Sequence, residues 1–486
     1  MGVLTLTLLL PLVGAALVLF VPANRPRLIR FTAILAGLVT LLFSWSLLAQ
    51  FTPSANLQFF ESHQWNPRLG TRFSLGVDGF SFPMVLLASL LCFVAILASS
   101  HIKERVKTYH VLILILESAM LGVFMAQDWA LFYLFWEMTL IPLFFLIDRW
   151  GGHQRQIASL NFVLYTLGGS VFMLLSLLLV FDTIEAHSFA MDVMQTGARE
   201  LGAHKQTLIF LGFLIGFGVK MPIFPIHGWL PLAHVQAPSP ISILLSGILL
   251  KMGSYGLIRA AEMLPLAVMN LQTVLVVLAF ISLIYGGLLA WRQSDLKAMI
   301  AYSSISHMGV VLLGIAALNQ AGLTGAVMQM VAHGLVAGAL FLLIGLLYER
   351  THTREVTHYS SLVRTMPRFA FFTTLAFVAA VGMPGTAGFI AELHALIGGF
   401  ERWGGFIALL AIGFLISAAY AIRTVGFLFT GPVRSEMQSI TDLRAHEMFA
   451  ALLLSSGIIL IGVAPAALLN LISSSVGRFS ALFIGM

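Results

Sequence analysis

Charge is what this sequence most lacks. Asp, Glu, Lys and Arg make up 9% of its 486 residues, where soluble domains carry roughly 25%. Such a chain cannot cover a globular surface with polar groups, so the several soluble domains that its length alone would suggest are excluded. Cysteine is nearly absent too. Cys92 stands alone in an apolar run, and one cysteine excludes an internal disulfide, a cysteine-based zinc site and a cysteine-ligated iron–sulfur cluster. The basic residues are scattered through loops and form no patch, so no nucleic acid partner is expected. The opening MGVLTLTLLLPLVGAALVLFV lacks the positive first region of a cleaved signal peptide and reads as a retained first span.

What is abundant is hydrocarbon. Hydrophobic residues make up 59% of the chain and mean hydropathy is +0.97. A spanning helix needs about 20 mainly apolar residues. Fourteen segments qualify: 3–21, 30–51, 80–100, 109–126, 129–147, 158–181, 207–226, 240–262, 268–291, 296–317, 323–348, 368–400, 404–428 and 448–471. Helices are expected because each backbone polar group must find its partner inside the bilayer. The expected fold is all-α, a polytopic membrane protein forming a single membrane domain over 1–486.

Loop charge orients the spans. One set of loops holds Arg25, Arg27 and Arg30; Lys103, Arg105 and Lys107; Arg149 and Arg155; Arg292 and Lys297; and Arg350, Arg354, Arg364 and Arg368. The opposite loops are neutral or acidic, as at Asp182, Glu185, Asp192 and Glu200. This alternation puts both termini on the non-cytoplasmic side.

A few ionisable residues remain inside the spans: Glu117, Glu137, Lys220, Lys251 and Glu392, with His307, His333 and His394. His227 and His234 lie at the break between the seventh and eighth spans. Each mid-bilayer charge costs about 2.5–3.5 kcal/mol even on the lenient insertion scale. These groups must pair, face the bundle interior or line water. Structural ion pairs and lysines reaching for the interface are the bland reading, and Glu117 fits it as well as any other. For the set, acid and base alternating across helices is the pattern of a proton relay. Desolvation favours a neutral amine, a nearby carboxylate restores its charge, and histidine is a ready intermediate carrier. His227 and His234 are separated by prolines, share no helix face and have no carboxylate beside them, so no metal site is expected.

Two breaks accompany these charges. Pro222 and Pro225 follow Lys220, and VGMPGTAGFIAE (381–392) sets Pro384, Gly385 and Gly388 before Glu392. A proline breaks the helix ladder, and freed carbonyls are tolerated only inside protein or along a cavity. Paired broken spans point to an inverted-repeat transporter. The expected division is 1–105 with helices 1–3, 106–262 and 263–430 as two inverted five-helix repeats with helices 7 and 12 broken, and 431–486 with helix 14. Lys220 and Glu392 are then counterparts.

LFYLFWEMTLIPLFFLI, KMPIFPIHGWLPLAHVQAPSPISILLSGILLKMGSYGLIR, AYSSISHMG, QMVAHG, LYERTHTRE and GMPGTAGFIAELHALIG occur in this order over nearly the whole chain. Together they resemble subunit 4 of complex I, the proton-pumping NADH:quinone oxidoreductase, known as the NAD(P)H dehydrogenase-like complex in cyanobacteria and chloroplasts. Subunits 2 and 5 and the multi-subunit sodium/proton antiporters are relatives. Glu392 in the twelfth span marks subunit 4, and no long lateral helix is expected after span fourteen. The resemblance implies roles. Glu137 modulates the pump, Lys220 carries protons, Lys251 connects, His307 and His333 form the central polar axis, and Glu392 is the terminal donor. Apart from the resemblance, Glu117, His227 and His234 are expected to support them. The resemblance also implies no cofactor in this chain, with quinone, iron–sulfur clusters and flavin served by other subunits. The implied partners are the antiporter-like subunits 2 and 5, the peripheral arm and lipids. The implied location is an energy-transducing membrane, a cyanobacterial thylakoid or a bacterial plasma membrane.

Three positions depart from the family pattern. Leu232 and Gln236 replace acids, and Asn161 replaces a lysine. They lean towards the divergent copies found in inorganic-carbon-uptake complexes, which couple proton movement to carbon dioxide hydration with an accessory subunit. A sodium/proton antiporter subunit and a non-pumping spacer of the same complex stay open as alternatives.

Overall fold

The computed structural model describes residues 2–54 and 56–484. Among them, twelve helices are long and apolar enough to cross a membrane: Val3–Phe20, Pro26–Ala49, Phe82–His101, Val106–Met125, Trp129–Trp150, Arg155–Thr183, Ser239–Met263, Gln272–Arg292, Leu296–Ala316, Gln320–Thr351, Ala387–Phe429 and Ala445–Val463. The expectation of fourteen differs where helices break. The seventh expected span is a helix only over Ala203–Lys220, then an irregular stretch, then the half-helix Trp229–Gln236. The twelfth divides into Pro367–Ala380 and Ala387–Trp403. The second half then runs through the tight turns of Gly404–Leu410 into Ala411–Phe429. Proline and glycine at 222, 225, 384 and 385 remove donors and helical restraint there.

The last expected span, 448–471, also needs correction. Its helix is Ala445–Val463, and a separate helix, Ala466–Ala481, packs back on Gln320–Thr351. Pro465 pushes Ala464 out of the helical region, which splits the segment.

An antiparallel hairpin, Gln58–Asn66 with Thr71–Val77, was absent from the helical reading. Its turn ends at Gly70, at φ +58°, a left-handed conformation that glycine adopts without cost. The hairpin serves the first helix directly. The Glu61 carboxylate accepts from the backbone N–H of Leu4 at 2.7 Å and from the Thr5 hydroxyl, an anion at a helix N-terminus.

Phe82–Ala98, Ser239–Met263, Leu296–Ala316 and Gln320–Thr351 are buried nearly all round. The outer helices turn Phe20, Phe31, Leu164, Phe371, Leu415 and Ile422 outward, as a lipid-facing surface requires. Small residues bring the second half of the broken twelfth span against the centre. A Cβ on Gly398 would fall 2.1 Å from the backbone nitrogen of Gly322, so only a side-chain-free residue permits this approach.

Candidate functional site

The helix Ala203–Lys220 stops at Lys220, and its freed Val219 carbonyl accepts from the Trp229 indole at 2.7 Å. This leaves the buried Lys220 ammonium aimed at the junction of Trp129–Met138 and Leu140–Trp150. Nζ donates to Thr139 Oγ1 at 3.1 Å and to the Trp136 carbonyl at 3.4 Å, and lies 3.9 Å from the centre of the Trp136 ring. The ring face adds cation–π attraction. Glu137 acts on this ammonium at Coulombic range, and the pair forms no salt bridge; one carboxylate oxygen, Oε1, is buried without a partner.

Lys251 follows a wide π-turn over Leu245–Leu249. Its buried Nζ donates to the Ser246 carbonyl at 2.6 Å and stands 2.6 Å from His333 Nδ1. An ammonium only donates, so Nδ1 accepts and the ring proton of a neutral His333 is on Nε2, which has no partner. His307 Nε2 lies 3.0 Å from the Ala380 carbonyl. A carbonyl only accepts, so Nε2 donates and Nδ1 is left as the acceptor. Ala380 ends the helix Pro367–Ala380, where carbonyls lose their helical partners. The His307 and His333 rings are 5.3 Å apart, edge to face.

Both rings line a small cavity of about 10 Å³, room for about one water, shared with Gln329, Ala380, Gly388 and Glu392. Glu392, on the helix after the break, turns back towards Gly382 at φ +74°. A side chain at Gly382 would overlap Glu392 Oε2. Three helices and one break thus deliver His307, His333 and Glu392 to one small cavity, with Lys251 bonded to its wall.

Other expected residues lie elsewhere. Lys220 and Glu137 form a separate station, without side-chain contact to Lys251 among the described residues; aromatic rings of Phe132, Trp136, Phe217 and Tyr255 pack beside it. Lys220 precedes its break and Glu392 follows its own, so the two are not at matching helix positions. His227 sits in the irregular stretch between the Phe224 and Tyr285 rings. His234 is on the half-helix instead, fully buried, stacked on Phe341 at 4.7 Å, with neither ring nitrogen bonded. Glu117 is buried with both oxygens unpartnered, near Cys92. His394 bonds its own helix at the Ile390 carbonyl. Among the described residues no group of three or more His, Cys, Asp or Glu could hold a metal ion.

Two features escaped sequence reasoning. Lys297, read as a loop charge, is buried with Nζ on the Ala237 carbonyl at 2.6 Å. Its place inside the expected span 296–317 was the signal. The second is an ion cluster. Arg259 donates to Asp78 and to Glu262, each at 2.8 Å, and Arg478 reaches both acids at 3.2 and 3.4 Å. Burial pushes the Asp78 carboxyl up, but Arg259 and Arg478 more than offset this and hold it below the usual carboxylate range. The Arg259/Glu262 spacing of three on one helix was legible; Asp78 and Arg478 were not. At the departing positions, Gln236 uses its Oε1 to accept the backbone N–H of Gln154 at 3.0 Å.

Residues 126–417 match the family model described as NADH:quinone oxidoreductase/Mrp antiporter, transmembrane. The chain is 42% identical over 474 residues to NAD(P)H-quinone oxidoreductase chain 4 1 of Synechococcus elongatus, covering 95% of this chain and 88% of the relative. It is 40% identical to NADH-quinone oxidoreductase subunit M of Rhodobacter capsulatus, covering 98% and 96%. Among solved structures, a chain of respiratory complex I from Thermus thermophilus with bound NADH superposes with a TM-score of 0.91 at 31% identity, covering 99% of each. A chain of the Mrp complex from Dietzia sp. shares the fold, with a TM-score of 0.86 at 23% identity over 98% of this chain and 52% of that one.

Proposed function

We propose a proton path for this chain, which belongs to the NADH:quinone oxidoreductase/Mrp antiporter transmembrane family and, within it, to the chain 4/subunit M type. It is an integral protein of an energy-transducing membrane, the proton-pumping antiporter-like subunit of an NAD(P)H-quinone oxidoreductase complex. The path runs from Lys220 through Lys251, His333 and His307 to Glu392.

The observation that carries this reading is the Lys251–His333 contact of 2.6 Å opening on the cavity of His307 and Glu392. A proton on Lys251 moves along its hydrogen bond to His333 Nδ1. The imidazolium then releases its Nε2 proton into the cavity. His307 is fixed on Ala380 through Nε2 and offers Nδ1 to it. From His307 the proton returns through the cavity to Glu392, which gives it to the opposite face. Glu137 sets the charge state of Lys220 at Coulombic range: its anion favours the ammonium, and its neutral form frees the proton to move on. The intramembrane charges are affordable because they face this interior and not lipid.

The chain works beside other membrane subunits. Antiporter-like subunits 2 and 5 and a peripheral arm are the partners we assign, and we assign quinone, iron–sulfur and flavin chemistry to other subunits of the complex. Leu232 and Gln236, neutral on the half-helix, favour the inorganic-carbon-uptake type of complex as a second reading; co-purification of a carbon dioxide-hydrating subunit decides it. The main reading is tested with Lys251→Met and Glu392→Gln in the intact complex in vesicles. Quinone-coupled proton translocation is expected to vanish while the complex stays assembled; parental pumping in both variants refutes the path.

A further inference from the structure

Lys297 lies outside the path just described, yet it is buried, nearly as fully as Lys251. It opens the helix Leu296–Ala316, which also carries Ser304 and His307. Lys297 and Ser304 are seven residues apart and share a face of that helix. The half-helix Trp229–Gln236 packs on the same helix, with His234 among its buried residues. His234 is within Coulombic range of both Lys297 and Lys251. Three buried hydroxyls, those of Ser242, Ser246 and Ser304, lie on the same and neighbouring helices. Ser242 donates to the His234 carbonyl at 3.2 Å, and Ser246 and Ser304 are 3.1 Å apart. The carbonyl of that same Ser246 holds Lys251. At the other end, Asp295 and Arg354 form a partly exposed ion pair at 3.0 Å, and the Asp295 carboxylate accepts the backbone N–H of Lys297.

The bland account is that Lys297 is a helix-end cation. Its ammonium and the Arg354 guanidinium hold the Ala237 and Val235 carbonyls, both at 2.6 Å, where the half-helix dipole is negative. That accounts for Lys297 and Arg354. It does not account for a fully buried histidine with two unbonded ring nitrogens, nor for the hydroxyl pair of Ser246 and Ser304 at the residue whose carbonyl holds Lys251.

We propose that Lys297, His234, Ser246 and Ser304 form a second proton inlet that reaches the Lys251–His333 pair without passing Lys220. The Lys297 ammonium gives one proton to a ring nitrogen of neutral His234. The imidazolium releases the proton on its other nitrogen to the hydroxyl pair. Each hydroxyl accepts one proton and passes one on, and the last reaches the Lys251 amine. Neutral Lys297 takes its next proton from solvent water at the Asp295–Arg354 pair. Waters bridge the steps of this relay that are longer than a direct hydrogen bond. The inference rests on the reading that Lys251 and His333 carry protons.

The test separates capping from proton transfer. Arginine at 297 keeps the charge and the bond to Ala237, but a guanidinium does not release its proton. Lys297→Arg and Ser304→Ala are built in the whole complex and reconstituted in vesicles, with quinone reduction and proton translocation recorded together. Each variant is expected to assemble, and each to slow translocation by at least roughly threefold, incompletely because Lys220 still feeds the pair. The double variant is expected to be no slower than the worse single one, as for two steps in series. Parental translocation in Ser304→Ala, or in an assembled Lys297→Arg complex, overturns the inlet, and so does an additive double variant. Lys251→Met is the control. If it abolishes pumping while the others pump normally, only the inlet is lost; if it too pumps normally, the underlying reading fails.

Discussion

Lys251 Nζ stands 2.6 Å from His333 Nδ1, joining two central helices by a buried contact between residues 82 apart in sequence. A neutral base facing an ammonium, instead of a carboxylate facing it, lets the proton change owner with its positive charge kept and moved along the path. It also means that the next proton must leave by His333 Nε2, on the side of the cavity.

Lys251→Arg should retain the charge and much of the contact to His333, yet block transfer, since the guanidinium stays protonated. Pumping is expected to fall on the order of 100-fold or more, the scale of losing a positioned proton carrier. Proton uptake by vesicles during quinone reduction measures it, and near-parental uptake would remove Lys251 from the path.

Thr139→Val keeps the shape but deletes the hydroxyl that accepts from Lys220 at 3.1 Å. The ammonium is left with the more distant Trp136 carbonyl and the ring face. A cost of about 1–3 kcal/mol is expected, read as a lower unfolding midpoint, with pumping reduced. An unchanged midpoint together with unchanged pumping would show that Thr139 does not hold Lys220.

Gly382→Ala tests the seat of Glu392. The residue has φ +74°, and its new Cβ would meet Glu392 Oε2. Backbone strain of about 1–2 kcal/mol is expected, and the displaced carboxylate should slow pumping as Glu392→Gln does. Pumping at the parental rate would mean that Glu392 functions in another position.

Arg259→Met leaves Asp78 and Glu262 with Arg478 as their only cation of the four-residue cluster. Breaking a buried ion pair on one side costs about 3–5 kcal/mol, detectable by thermal unfolding of the purified complex. The pH dependence has a definite sign. Asp78 is held below its ordinary value, so its contribution is complete above the unfolded carboxylate pKa and is lost as pH falls through the lower folded one. Stability should therefore be flat in this term near neutrality and decline below about pH 4. Asp78→Asn should abolish that acid-side decline, and a decline that survives in Asp78→Asn has another origin.

Much of the site was legible one residue at a time. Lys220, Lys251, His307, His333 and Glu392 each stood out as an ionisable group in an apolar segment, and Pro222, Pro225 and Pro384 marked the breaks beside two of them. Their pairing was not legible. Glu137 and Lys220 look like partners on paper, but the ammonium is bonded to Thr139 and Trp136 instead. Lys297 lay inside an expected span and was still assigned to a loop, because nothing local reveals that the half-helix Trp229–Gln236 closes over it. The hairpin at 58–77 was missed because its Gln, Glu, Ser and His residues mimic a polar loop.

By itself the sequence determined the membrane class, the approximate spans and the residues too costly to bury without a reason. Those are properties of local composition: scarce charge, apolar length and the steric demands of proline. Only the tertiary structure decided which of those residues meet. It turned Glu392 into the cavity of His307 and His333, bonded Lys251 to His333 and not to an acid, and left both ring nitrogens of His234 unbonded within Coulombic range of two lysines. Each of those outcomes depends on how distant helices pack, and a buried polar group takes whichever partner that packing brings within hydrogen-bond reach.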